Sequence, residues 1–322
     1  MNNDKRVTSV DEYLKIIFEK ANRSDIDTDM QLFWFRGESN IEFKTPLVPC
    51  GYRVLADTFK DIVDDRFNSD HIRKLERNIS AEFERKALPY IISKGIENSP
   101  WNRYFLMQHY KIYTRLLDWT ENALLALFFA ICENQNKDAK VWILQPFNLN
   151  DFAVKTLVAS DSNFNAILPP INPGKQQKLI NEKGELRLEE LARRYLRMDF
   201  NQKEIDGCDK TYYPVAMYPP FLDCRMSAQK ACFTIFGNKI NGLLSVPNEK
   251  ESVLDYIIVA SERKRFMMKE LRLMGIDFDS IFPDLDGLGR SINGIYEREF
   301  LDNRETIMHI VKEKFPELIG NK

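Results

Sequence analysis

Histidine is scarce in this chain of 322 residues. There are three, His71, His109 and His309, and none of the five cysteines stands in a C-x-x-C pair. A structural zinc cage needs closely spaced thiolate and imidazole ligands, so no metal is expected. The odd number of cysteines fits reduced thiols and a cytoplasmic setting better than a disulfide framework. Long apolar runs are missing too. The longest, Ala123 to Cys132, is too short to cross a bilayer. The opening residues MNNDKRVTSVDEYL lack the apolar centre of a signal peptide, so no membrane association is expected. A net charge of -2 gives no general attraction to nucleic acid. Four motifs are absent: G-x-G-x-x-G, G-x-x-x-x-G-K-[ST], H-E-x-x-H and G-x-S-x-G. Their absence excludes the Rossmann fingerprint, the P-loop, the zincin helix and the hydrolase elbow.

What is present is a globular composition, 44% hydrophobic and 12% aromatic, with mass enough for a core. Apolar periodicity predicts helices over Val10 to Ala21, Asp70 to Ile92 and Trp101 to Tyr110. Further helices are expected from about Thr120 to Cys132, from Ser261 to Met274 and from Glu305 to Phe315. Ser99-Pro100 supplies a capping residue followed by proline at the first helical position. Short β-rich runs predict strands near 32–36, 141–145, 213–217, 232–236 and 254–259. The expected fold class is α+β, a central mixed or antiparallel sheet with surrounding helices. Residues 151–205 read as irregular and then as a charged helical arm, inserted or peripheral. The expected domains are an N-terminal helical segment over 1–30, a main domain over 31–290 and a helical tail over 291–322.

The chemistry is concentrated in Tyr104 to Ala130, YFLMQHYKIYTRLLDWTENALLALFFA. His109, Thr114, Arg115, Asp118, Trp119 and Thr120 stand just ahead of an apolar helix. Polar groups of this kind cost a few kcal/mol each when buried without partners. One reading is structural: Asp118 and Glu121 form a capping box, or Thr120 caps the helix, and Arg115 pairs with an acid. The other is functional: Thr114, Arg115 and His109 receive an anion at a helix N-terminus, and Trp119 or Tyr110 stacks on a planar ring. Arg36-Gly37, at the end of an aromatic strand, is a second anion clamp, since arginine binds phosphate in a bidentate manner.

Phe35-Arg36-Gly37, Gln108-His109-Tyr110 and Thr114 to Thr120 together resemble the FRG domain family. Arg225-Met-Ser-Ala-Gln229 followed by Phe233, and Leu271 to Asp286 with its FPDL, continue the resemblance. Two glycines usual in the family are replaced, one after His109-Tyr110 (Lys111 here) and one between Gln229 and Phe233. A strand ending in Arg-Gly, followed by a Thr-containing turn into an A-x-x-F-A helix, is also similar to ADP-ribosyltransferases. That similarity implies an ADP-ribosyltransferase-like arrangement with NAD as the cofactor. Arg36, Gly37, Thr114, Arg115, Trp119 and Thr120 would bind it, with Asp118, Gln229 and His109 as the catalytic residues. No glutamate accompanies Gln229, so the carboxylate would be Asp118 or Glu38. Two functions are expected. One is an NAD- or nucleotide-using enzyme, a toxin or defence effector in bacterial or phage conflict, acting on a protein or nucleic acid. The other is a non-catalytic module that senses a nucleotide-like small molecule or binds a macromolecule.

Overall fold

A computed structural model describes residues 6–22, 33–53, 65–158, 170–171, 178–181, 184–187, 195–196, 213–247 and 253–316. Its centre is a seven-stranded sheet in the order β1-β9-β4-β2-β3-β8-β7. The strands are β1 (Arg6–Val7), β2 (Trp34–Glu38), β3 (Leu116–Thr120), β4 (Ala139–Leu144), β7 (Val215–Met217), β8 (Ala231–Ile235) and β9 (Leu254–Val259). A separate hairpin joins β5 (Lys178–Asn181) to β6 (Gly184–Arg187). β1 runs parallel to β9, and every other pairing in the main sheet is antiparallel, so the sheet is mixed. The α+β class expected from the periodicities holds.

One feature of the register positions everything else. β2 pairs with β4 over five successive residues, and β3 pairs with β8 over five. Between them β2 and β3 pair only where Phe35 lies opposite Thr120. Beyond that point the two central strands part. The segment Leu47 to Tyr52 joins the parted ends. The Gly51 N–H donates to the Thr114 carbonyl at 3.0 Å, and the Leu47 N–H donates to the Glu38 carboxylate at 3.2 Å. Leu47 is buried with φ of 55°, a left-handed conformation that a bulky residue adopts only where its surroundings impose it.

Side chains alternate across a sheet, and residues directly opposite in register share a face. Phe35, Gly37, Leu116, Asp118, Thr120, Phe233 and Ile235 therefore point one way. On that face helices α1 (Val10–Asn22), α4 (Ala123–Ile131) and α7 (Lys264–Leu273) cover β2, β4 and β9. Helix α3 (Pro100–His109), together with α5 (Pro146–Val158), covers β3, β8 and β7. On the other face Trp34, Leu117, Trp119, Trp142 and Phe236 pack with Leu47, Val48 and Tyr52. The remaining helices are α2 (Asp65–Ser93), α6 (Cys224–Ala228), α8 (Phe278–Ile281), α9 (Leu285–Asp302) and α10 (Arg304–Lys314).

The sequence reading is corrected in three places. β3 occupies residues read as a turn into a helix; α4 begins at Ala123, and its N-cap is Asn122, whose side chain accepts from the Leu124 and Leu125 N–H groups. Asp118 and Thr120 are strand residues, so neither caps that helix. Helix α5 occupies part of a stretch read as irregular. The charged region read as helical contains the β5–β6 hairpin; its helical period is weak, and Gly184 opens the second strand. Residues 159–169, 172–177, 182–183, 188–194 and 197–205 of that arm lie outside the described residues.

Two contacts bring α4 hard against β2. A Cβ on Gly37 would lie 2.1 Å from the Ala126 carbonyl oxygen and 2.5 Å from the Ala130 nitrogen. The glycine is there for close approach of a backbone, that of the helix. Lys264, fully buried, donates from Nζ to the carbonyls of Ser39, Glu133 and Asn134 at 2.8, 3.2 and 3.0 Å. It thereby ties the end of α4 to the end of β2. Gly37→Ala must separate rigid backbone from rigid backbone, and we expect it to cost about 3 kcal/mol or more. Chemical denaturation checks this; a loss under about 1 kcal/mol contradicts it.

Candidate functional site

A cavity of about 400 Å³ opens over the parted strands, between α4 on one side and α3 with α6 on the other. Of the nine residues singled out in the sequence, seven line it: Arg36, Gly37, His109, Asp118, Trp119, Thr120 and Gln229. Thr114 and Arg115 do not.

Arg115 is fully buried beneath the site, and that explains its place in the motif. Its Nε donates to Glu76 at 2.8 Å, Nη1 to the Phe236 carbonyl at 2.8 Å and Nη2 to the Tyr195 carbonyl at 2.6 Å. Its backbone N–H and the Tyr104 hydroxyl both reach Glu76 as well. The charge is paired and hydrogen-bonded, as a buried charge must be. The anion-receptor role expected of Arg115 is thus corrected to that of a lock between α2, α3 and β3. Trp119 is corrected as well. The residue borders the cavity but is only 3% exposed, its indole packed in the core of the opposite face with Nε1 donating to the Thr234 hydroxyl at 3.1 Å. Its strand parity, hidden while β3 was read as a turn, turns the indole away from any ligand.

Asp118 is the exposed member of β3, with 60% of its side chain accessible. It is held from one side by a residue the sequence reading left out of the site, Gln108. The Leu116 N–H donates to the Thr114 hydroxyl at 3.1 Å, so that hydroxyl turns its own proton to Gln108 Oε1. The Gln108 amide is thereby oriented, and its Nε2 donates to Asp118 Oδ2 at 3.0 Å. Thr114 acts through Gln108 without touching the cavity. The signal available in the sequence was the i to i+6 spacing of Gln108 and Thr114 across one tight turn.

Arg36 crosses the gap between the strands. Its Nη1 donates to the Asp118 carbonyl at 2.9 Å, and its Nε lies 3.7 Å from Glu38. Glu38 is committed elsewhere: one oxygen accepts from Leu47, the other from the Trp142 indole at 2.8 Å. Both carboxylates proposed for chemistry line the cavity, but Glu38 is buried with both oxygens engaged, and Asp118 is the accessible one. Thr120 donates to the Gln229 carbonyl at 2.7 Å and accepts from the Asn122 N–H at 3.0 Å. Gln229 caps α6 and places its Nε2 3.5 Å from the Ile281 carbonyl. Lys111 has φ of 61° and Lys230 has φ of 43°, left-handed conformations in which a glycine would be less strained.

Residues 31–139 match the family model of the FRG domain. The chain carries an FRG domain. No curated protein and no solved structure matches it significantly. The matched span contains β2, α3, β3 and α4, hence the gap, the Gln108 relay and Asp118; the FRG tripeptide itself supplies the arginine that crosses the gap and the glycine beneath α4. Gln229 and Arg225 complete the cavity from outside the matched span. Among the described residues no cluster of metal-binding side chains occurs, and no helix is long and apolar enough to cross a membrane.

His109 closes the α3 end of the site. Its Nε2 donates to Asp223 at 2.7 Å. Burial pushes the imidazole below its ordinary value of 6.5; Asp223 and Asp118 oppose that shift, and Arg225 and Lys94 reinforce it. The ring is neutral near pH 7. The unfolded chain binds this proton first as pH falls, so the contribution of His109 to stability is complete above about pH 6.5 and is lost as pH drops through the folded-state value. Denaturation at pH 7.5 and pH 5 should show a smaller loss in His109→Gln than in the unaltered protein. Equal losses contradict this assignment.

Proposed function

We propose that this FRG-domain protein is an ADP-ribosyltransferase-like enzyme that binds NAD in the cavity between β2 and β3. The observation that carries the reading is convergence: Arg36, His109, Asp118 and Gln229, from four separate elements, all line one cavity of ligand size. In the proposed reaction the C–N bond between ribose and nicotinamide breaks, and nicotinamide leaves with the bonding electrons. An acceptor hydroxyl, carboxylate or amine forms the new bond to the same carbon; a hydroxyl or amine releases its proton to water or to a base. Asp118, oriented by Gln108, stands against the positive charge that develops on the sugar. Arg36 fixes the strand that carries Asp118 and adds positive charge for the ligand's phosphates. A target protein or nucleic acid, in a toxin or defence setting, is the acceptor this reading implies.

A specific observation favours a second reading. Arg36, Gln108 and Asp118 bond one another, as they would in a module that senses a nucleotide and turns nothing over. One experiment separates the two: calorimetry with NAD, together with a nicotinamide-release assay on the full chain. The enzymatic reading expects binding, release, and an Asp118→Asn variant that binds NAD within a few-fold while its release rate falls about 100-fold or more. Binding without release in the unaltered protein leaves the sensing module. Neither binding nor release overturns both.

A further inference from the structure

Two arginines line the cavity that the motif did not assign to it, Arg53 and Arg225. Each is already oriented by an aromatic ring. The guanidinium carbon of Arg225 stands 4.6 Å from the centroid of Phe282, and that of Arg53 stands 5.6 Å from the centroid of Phe43. The Arg225 side chain makes no hydrogen bond or ion pair to any described residue, and its Nε is buried without a partner. Arg53 donates from Nε to the Val48 carbonyl at 2.7 Å, and its two amino groups bond to no described residue. Arg36 differs in that its Nη1 is spent on the Asp118 carbonyl and it lies beside Glu38, although its Nε too is buried without a hydrogen-bond partner. A guanidinium stacked on a ring has its edge free, and the edge is what presents paired N–H donors to phosphoryl oxygens.

We propose that Arg53 and Arg225 form a two-armed receptor for a diphosphate group, with Arg36 positioning Asp118 and not serving as the principal phosphate ligand. The inference rests on reading the cavity as a nucleotide site and narrows the ligand to a nucleoside diphosphate or its ester. The two arms come from different parts of the chain, Arg53 from the segment that holds the strands apart and Arg225 from α6. They differ from surface cations in that each is partly buried and ring-stacked before any ligand arrives. The burial of Arg53, beside the like charge of Arg36, also favours binding of a compensating anion there.

Calorimetry of the full chain with ADP, adenosine and inorganic pyrophosphate tests this directly. Arg53→Met and Arg225→Met keep the apolar stems, and circular dichroism confirms that each variant folds. ADP should bind at least about 100-fold more tightly than adenosine, pyrophosphate should compete with it, and each substitution should weaken ADP about 10-fold or more. Equal binding of ADP and adenosine, or ADP binding unchanged in both variants, overturns the receptor. The two proposals fail separately. Nicotinamide release with unchanged KM for NAD in both variants overturns the receptor and leaves the enzyme. ADP binding that needs both arginines, without any nicotinamide release, supports the receptor and overturns the enzyme.

Discussion

The parting of β2 and β3 after Phe35 and Thr120 is the constraint on which the rest of this structure depends. A sheet that opens in its middle leaves backbone groups unpaired, and each must find another partner or incur a desolvation cost. Here the partners are specific. The Leu47 to Tyr52 segment takes the Thr114 carbonyl through Gly51, and Arg36 takes the Asp118 carbonyl. The gap therefore has a floor and a support, and the cavity above it is the space left between helices that follow the two diverging halves of the sheet. Gly37 lets α4 approach one half, and the buried Arg115–Glu76 pair fastens the other half to α2 and α3.

Electrostatics follows from that frame. Removing one member of a fully buried ion pair of the Arg115–Glu76 kind costs about 3–5 kcal/mol, because the remaining charge is stranded. Arg115 is thus a residue the fold cannot release to a ligand. The charges at the cavity behave differently. Asp118 is exposed and held by one amide; His109 is kept neutral by burial and tied to Asp223; Arg53 and Arg225 have donors to spare. A neutral imidazole, one oriented carboxylate and ring-stacked guanidiniums suit an anionic ligand with a sugar at its reacting end.

Much of the fold was legible in the sequence because the edges of the elements carry strong local signals. Ser99-Pro100 opened α3, and Gly275, with φ of 77°, closed α7. β3 was missed for a physical reason. In LLDWT the alternation spans only Leu117 to Thr120, and its two polar residues, Asp118 and Thr120, stand directly ahead of an apolar helical run, where they read equally well as helix caps. That one omission misplaced two site residues. Read as a turn, the stretch put Arg115 and Trp119 beside the ligand; read as a strand, it sends Trp119 to the far face, while the buried pair with Glu76 takes Arg115. The convergence of Arg36, His109, Asp118 and Gln229 was legible from motif resemblance; Gln108 and Arg225 stood in the same motifs without a role, and Arg53 was not separable from ordinary surface polarity without the packing that surrounds it.

The central claim is that the gap between β2 and β3 is a nucleotide site with Asp118 at its reacting end. A crystal structure of the full chain grown with NAD tests it most directly. The account predicts density for the dinucleotide over the gap, with the Asp118 carboxylate beside the nicotinamide ribose and the diphosphate against Arg53 and Arg225. A bound dinucleotide elsewhere on the protein, with the gap filled by movement of Phe43 or Phe129, would contradict it.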